Sequence, residues 1–181
     1  MSNIFFRALQ ETLLKEGKLS TNSADRGGIT NYGISIRFLK LLPLVDADVN
    51  GDGHVTEADI RALTGNASHV AHLYKKYFWD HYRLDECQHP RIAIKLFDML
   101  VNMRSVMAVK CLQRALRACN TPVLEDGVLG SKTFAAIANI QDERNLLAPI
   151  RSEAFGTYQL IVAADASQAQ FLPGWKNRAY S

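Results

Sequence analysis

Long apolar segments, basic runs and strand-like alternation are all scarce in this sequence of 181 residues. No stretch is long enough and free enough of charge to span a bilayer, so we expect no membrane insertion. The N-terminal stretch has neither a basic beginning nor a long apolar core, and no secretory signal is recognised. We therefore expect a protein that is made in the cytoplasm.

Cysteine is also scarce, with Cys87, Cys111 and Cys119 as its only occurrences. Three cysteines cannot all pair. Cys111 and Cys119 are separated by eight positions of a helical pattern, about 12 Å, which is too far for a disulfide. Reduced, buried thiols are the expected state. No histidine is placed to activate the two helical thiols, so we expect no thiol catalysis.

The charge balance is modest, with a formal net charge of +3 and basic residues that form no run. It predicts mild attraction to an anionic polymer such as a cell wall. It is weaker than expected of a dedicated nucleic-acid-binding protein, so we expect no nucleic-acid partner. A hydrophobic content of 48% with 22% charged residues is typical of a folded globular domain.

Helical periodicity runs through most of the chain, and strand signals are limited to a possible short hairpin within residues 18–35. Pro90 is placed to begin one helix and Ser105 to cap the next, and both helices have broad apolar faces. We expect these two helices at the centre of the domain. The pattern predicts a mainly α fold.

Residues 16–35 join an apolar helical stripe to a glycine-rich polar loop. An apolar stripe of Phe6, Leu9 and Leu13 recurs at helical spacing. Glu16 continues this stripe, where burial and the helix dipole are expected to raise its pKa. Asp25, in the polar loop, is expected to stay ionised. Glycosidic cleavage uses such a pair, a protonated acid and an ionised carboxylate. Taken alone, the spacing favours a solvated glutamate and a turn-forming aspartate, so the setting has to decide.

One motif spans the end of this helix and the following loop. Its members are Glu16-Gly17, Asp25, Gly27-Gly28 and Thr30-Asn31-Tyr32-Gly33-Ile34. It resembles the opening motif of the glycoside hydrolase family 108 muramidases, which are phage endolysins and related bacterial lysozymes. Lys18 departs from a glycine of that motif, and the interval from Asp25 to Thr30 is one residue shorter than in the Glu-Asp-Thr triad of other phage lysozymes.

This resemblance implies a mainly α, lysozyme-like α+β fold with at most a small hairpin near the catalytic loop. It also implies Glu16 as the general acid, with Asp25 and Thr30 orienting water or stabilising charge. Glu16 matches the family pattern most directly.

Later stretches resemble the C-terminal region of the same family, which is often described as peptidoglycan-binding. They are Asp98, Asn102, Ala108, Leu112-Gln113, Asp126 to Thr133 and Phe171 to Arg178. Arg104 departs from the glycine that the family usually has there. We predict a single muramidase domain over residues 1–181, with a catalytic lobe at 1–95 and a helical peptidoglycan-binding-type lobe at 96–181.

A second motif, within residues 46–59, alternates oxygen-bearing side chains with glycines, as calcium loops do. One possible register begins at Asp46 and ends at Glu57. The other begins at Asp48 and is preferred, because it places Gly53 at the sharp turn and an apolar residue at the eighth position.

The preferred register gives five calcium ligands: Asp48, Asn50, Asp52, the His54 carbonyl and Asp59. It resembles the calcium loop of dockerins, although no second copy is present. The alternative is a polar surface turn that binds nothing. We expect Ca²⁺ in a structural role and no cofactor for catalysis.

The candidate substrate-binding residues are Asn31, Tyr32, Trp79 and Asn102. Trp79 ends an apolar helical face; aromatic rings stack on sugars, although an aromatic side chain in such a place is more often part of a core.

The resemblance implies a peptidoglycan hydrolase, an endolysin that cleaves the β-1,4 bond between N-acetylmuramic acid and N-acetylglucosamine. We expect a monomer that reaches the periplasmic cell wall after membrane permeabilisation, through a holin or an export partner. The alternative is a calcium-stabilised wall-binding module without catalysis, with Lys18 as a sign of drift.

Overall fold

The computed structural model of the protein describes residues 3–15, 29–63 and 67–181. Ten α-helices and one two-stranded antiparallel sheet form within these ranges, and the structure is 70% helical. The prediction of a mainly α, lysozyme-like fold with a small hairpin is confirmed. None of the described helices is long and apolar enough to cross a membrane.

The elements follow one another in the order helix, hairpin, helices. The helices are α1 (Asn3–Leu13), α2 (Ile36–Leu39), α3 (Leu44–Ala47), α4 (Glu57–Ala62), α5 (Ala67–Tyr74), α6 (Pro90–Asn102), α7 (Ser105–Ala118), α8 (Ser131–Ala138), α9 (Glu143–Ala164) and α10 (Leu172–Tyr180). The strands are β1 (Thr30–Asn31) and β2 (Ile34–Ser35). A π-helical segment, Lys75–Asp80, extends α5, and 3-10 turns cover Leu84–Glu86 and Ala166–Phe171.

The chain groups into two compact units. The hairpin unit is Leu9–His81, and the bundle unit joins the residues up to Ala8 to Tyr82–Ser181. The division of the sequence into lobes at residue 95 stays a prediction.

The hairpin unit contains the short sheet, in which Thr30 pairs with Ser35 and Asn31 with Ile34. Its turn residues, Tyr32 and Gly33, have φ of 50° and 75°. Positive φ at both central residues is what a two-residue hairpin turn needs to match the twist of its strands. The Ser35 hydroxyl then accepts a hydrogen bond from the Phe38 amide and caps α2. The strands and α2 therefore follow from local turn and cap chemistry.

The bundle unit is built on α6, α7, α9 and α10, with α9 packed against the other three. Pro90 begins α6, where its missing N–H leaves no bond unmade, and Ser105 begins α7. Both helices bury broad apolar faces, as predicted, and α9 packs against both of them. Trp175 of α10 stacks on Tyr158 of α9, with ring centroids 5.1 Å apart.

Candidate active site and binding cavity

Helix α1 leads toward the predicted catalytic residues and ends at Leu13. A tightened turn follows the helix, in which the Lys15 amide donates to the Thr12 carbonyl. Glu16 and Asp25 lie outside the described residues, so their predicted roles stay predictions.

The buried face of α1 differs from the predicted one. Phe5, Ala8, Leu9 and Thr12 are buried, at the helical spacing of one stripe, whereas Phe6 is 43% exposed. The predicted stripe of Phe6, Leu9 and Leu13 is therefore wrong in its phase. The fully buried Phe5, whose ring meets Phe97 edge-on, sets the phase.

The hairpin holds three of the predicted site residues. Thr30 and Tyr32 are half-buried, and the Tyr32 carbonyl accepts a hydrogen bond from the hydroxyl of the buried Tyr74. The Asn31 side chain is buried, and its amide nitrogen donates to the carbonyls of Ile60 and Leu63 at 3.0 and 2.7 Å. Asn31 therefore ties the hairpin to the end of α4, while Tyr32 stands at the turn.

Trp79 lies in the π-helical segment and is fully buried. A ring that stacks on a sugar needs a face open to solvent, and Trp79 has none in this structure. The structure thus gives Trp79 a place in the core of the hairpin unit, which corrects its interpretation as a sugar-binding residue.

Asp46 is a buried carboxylate of the hairpin unit that is held by three side chains. Lys76 and Tyr77 donate to one of its oxygens at 2.7 and 2.6 Å, and His72 lies 3.0 Å from the other. Hydrogen bonds from Lys76 and Tyr77 hold the pKa of Asp46 far below its usual range, against the effect of burial. Burial and the bond to Asp46 raise the pKa of Tyr77 to about 12.

This arrangement bears on the register of the calcium-type loop. Both carboxylate oxygens of Asp46 face groups of α5 and the π-helical segment, and Glu57 points to solvent beside Arg61. These are the two end residues of the alternative register. The register that begins at Asp48 stays a prediction.

The loop after Asp48 is folded around that side chain. One Asp48 oxygen accepts hydrogen bonds from the amides of Gly51 and Asp52, and the other from Gly53. Gly51 and Gly53 both have positive φ, at 78° and 83°. Left-handed backbone at the glycines lets the chain turn sharply around one carboxylate, as calcium loops do.

Asp59 lies at the end of the loop and binds its backbone. It is fully buried and accepts hydrogen bonds from the amides of Val49, Asn50 and Thr56. Burial raises the pKa of Asp59, but these three amide bonds outweigh it and leave the pKa lowered. In the described part of the chain no three His, Cys, Asp or Glu side chains are grouped to hold a metal ion. Asp59 therefore braces the loop in this structure.

A buried polar network lies in the bundle unit, between α6 and α10. Arg178 of α10 bonds the Asn102 side chain through one nitrogen and lies 3.4 Å from the Asp98 carboxylate. Lys95 donates to the Arg178 carbonyl at 2.6 Å. Asp98, Asn102 and Arg178 belong to the two stretches that resemble the family's C-terminal region, and the fold brings them together.

A cavity of about 560 Å³ opens beside this network. Its lining comes from the junction of α6 and α7, from α9 and from α10, and includes Asn102, Arg104, Met107, Ile161 and Trp175. The predicted substrate-binding residue Asn102 thus lies in a cavity wall. The sequence did not predict this cavity. Its lining includes Arg104, where the sequence departs from the family pattern, and Trp175 from the C-terminal stretch Phe171 to Arg178.

Two family descriptions match the chain in sequence. "Glycosyl hydrolase 108" matches residues 9–103, more than half of the chain, and "Predicted Peptidoglycan domain" matches residues 107–180. The first range contains the hairpin unit with Glu16, Asp25 and Thr30, and the second contains most of the bundle unit.

Among solved structures, the chain is similar to the one titled "Structure of Brucella abortus SagA", with a TM-score of 0.66 and 21% identity. The match covers 97% of this chain and 92% of that chain, and at this identity it shows the fold alone. No curated protein matches the sequence. This chain belongs to glycosyl hydrolase family 108, and it is a peptidoglycan-related glycoside hydrolase with a C-terminal predicted peptidoglycan domain.

Proposed function

We propose that this protein is an N-acetylmuramidase that hydrolyses the β-1,4 bond between N-acetylmuramic acid and N-acetylglucosamine in peptidoglycan. The observation that carries the proposal is the family 108 match, which contains Glu16, Asp25 and Thr30 in one range. The peptidoglycan domain that follows supports the same substrate.

The local structure supports this assignment from both sides of the motif. Helix α1 leads the chain toward Glu16, and the hairpin fixes Thr30 by pairing it with Ser35. The tight turn and the bond from Tyr74 to the Tyr32 carbonyl hold the hairpin. A positioned hydroxyl needs such a rigid support, because small displacements of a catalytic group cost large factors in rate.

In the proposed mechanism, the Glu16 carboxylic acid donates its proton to the glycosidic oxygen as the C1–O bond breaks. Ionised Asp25 stabilises the positive charge that develops on the sugar or takes a proton from water. The Thr30 hydroxyl orients that water, whose oxygen forms the new bond to C1. One proton of the water stays on the new C1 hydroxyl, and the proton that the water releases restores the acid form of Glu16.

The test is the clearing of permeabilised Gram-negative cells by the Glu16→Gln variant. Losing a general acid typically costs a factor of about 10² to 10⁴, so clearing should nearly vanish while the fold is kept. Glu57→Gln is the matched control, because it makes the same change at an exposed residue of the hairpin unit and should clear as the wild type does. Normal clearing by a folded Glu16→Gln protein would overturn the mechanism.

Asp25→Ala and Thr30→Ala are expected to lower clearing less than Glu16→Gln does, because neither residue donates the proton. A wild-type protein that sediments with cell walls without clearing them would instead identify a wall-binding module.

We also propose that the loop from Asp48 binds Ca²⁺ in a structural role, through Asp48, Asn50, Asp52 and the His54 carbonyl, with Asp59 closing the loop. The positive φ of Gly51 and Gly53 and the amide bonds to Asp48 support it. All of these groups offer the oxygen ligands that Ca²⁺ prefers.

A further inference from the structure

The cavity of the bundle unit has mostly apolar walls. Met103 and Met107 contribute flexible thioethers, and Leu160, Ile161 and Ala164 of α9 contribute aliphatic surface. A site with such walls accepts short aliphatic groups such as methyl and methylene groups. The polar groups of the lining therefore decide what the rest of the ligand carries.

Arg104 and Arg114 are the cationic residues of this lining, and they differ in their partners. Arg114 forms ion pairs with Glu125 at 2.7 Å and Glu153 at 3.8 Å, so its charge is compensated. Arg104 is exposed. Among the residues that the structure describes, no carboxylate compensates the Arg104 charge at the start of α7.

The aromatic part of the cavity does not offer an open platform for a sugar. Tyr158 stacks on the Trp175 ring at an interplanar angle of 22°, and the Phe171 ring lies 5.8 Å from it at 33°. Two aromatic neighbours thus already engage Trp175. Aliphatic walls and the guanidinium of Arg104 suit a short chain with methyl groups and a carboxylate better than they suit a pyranose ring.

We propose that this cavity binds the stem peptide of peptidoglycan, the short acidic peptide carried by N-acetylmuramic acid, and that Arg104 selects it through a free carboxylate. Alanine methyl groups of such a peptide fit the aliphatic walls, and a carboxylate pairs with the planar guanidinium. The proposal rests on peptidoglycan as the substrate.

The experiment is calorimetric titration of the full-length protein with three probes. They are a synthetic alanine-glutamate-lysine stem tripeptide, the same peptide with its carboxylates amidated, and a peptide-free N-acetylglucosamine tetramer. The proteins are the wild type, Arg104→Gln and Arg144→Gln. Arg144 is the matched control because it is exposed, pairs with Asp142 and lies outside the cavity lining.

The acidic tripeptide should bind the wild type about tenfold more tightly than it binds Arg104→Gln, as expected for one charged hydrogen-bonded contact. The amidated peptide should bind both proteins equally, which isolates the carboxylate pair. Arg144→Gln should match the wild type, and added salt should weaken only the acidic peptide.

Equal affinity of the acidic tripeptide for the wild type and Arg104→Gln would overturn the proposal, as would binding of the glycan probe alone. These probes contain no muramic acid glycosidic bond, so the result is independent of catalysis. A wild-type protein that clears cells but binds no tripeptide would refute the stem-peptide site and leave the muramidase intact. Tripeptide binding by a wild-type protein that hydrolyses no peptidoglycan would support the stem-peptide site and refute the muramidase.

Discussion

The Asp46 carboxylate is held by His72, Lys76 and Tyr77, all from one stretch of helix some 30 positions away in sequence. Because its pKa is lowered in the folded state, the unfolded chain binds the proton more readily. Asp46 therefore stabilises the fold at pH values above about 4, where the unfolded carboxyl is ionised. This stability is lost as the pH falls through the folded pKa.

Asp46→Asn should lower the free energy of unfolding by about 2 kcal/mol at neutral pH, since Lys76 and His72 are half-exposed and the loss is smaller than for a fully buried pair. The difference between wild type and variant should shrink at acidic pH. Urea unfolding followed by tryptophan fluorescence measures both. Asp80→Asn is the control, because its pair with Lys75 is exposed and should contribute little. A difference that stays constant from pH 7 to pH 2 would contradict the assignment.

At the residue scale, the sequence singled out residues such as Asn31 and Trp79 but did not predict their contacts or their burial. Asn31 lies in the recognised motif, yet its side-chain amide donates hydrogen bonds to the carbonyls of Ile60 and Leu63. No local sequence pattern predicts these partners. Trp79 ends an aromatic helical face, and only the packed structure shows that it is buried.

At the scale of elements, the loop between α3 and α4 gives the next prediction. If Ca²⁺ binds only the folded loop, a concentration of one hundred times Kd adds about 2.7 kcal/mol to stability. Chelation should then lower the melting temperature, and Asp48→Asn or Asp52→Asn should abolish that dependence. Scanning calorimetry of chelated and calcium-loaded protein measures it.

Glu57→Gln is the matched control for the loop, because Glu57 ends the alternative register and is exposed beside Arg61. It should leave the calcium dependence unchanged. Identical melting curves with and without Ca²⁺ would mean that the loop is a polar turn. A loss of calcium dependence in Glu57→Gln would mean that the register beginning at Asp46 is the correct one.

Pro90 begins α6 as predicted, because it acts through its own backbone. Ser105 was predicted to cap the next helix, but it is the first residue of α7, and the N-cap is Arg104 without a side-chain hydrogen bond. The sequence did not predict which face of α1 is buried, because Phe5 and Phe6 are both apolar. The structure resolves the choice by burying Phe5 against Phe97.

At the scale of the whole molecule, the N-terminal residues up to Ala8 belong to the same compact unit as Tyr82–Ser181. Phe5→Ala should therefore destabilise the bundle unit, by about 3 kcal/mol for a buried aromatic ring. Phe6→Ala is its neighbour and control: Phe6 is 43% exposed and its loss should cost much less. Chemical denaturation measures the free energy of unfolding of the two variants. Equal losses would contradict the assignment of the N-terminal residues to the bundle unit.

The family pattern predicted a glycoside hydrolase region followed by a peptidoglycan-type region, but it did not predict the cavity. Asn102 and Arg178 are 76 positions apart and meet only through the packing of α6 and α10. The cavity beside them uses three separate parts of the chain, so no single stretch of sequence encodes it.

The most direct test of the proposed reaction is the identity of the new reducing ends released from purified peptidoglycan. After borohydride reduction, a muramidase with water as acceptor gives the alditol of N-acetylmuramic acid, and Glu16→Gln should give almost none. Release of the alditol of N-acetylglucosamine, or of a non-reducible anhydro sugar, would contradict the account.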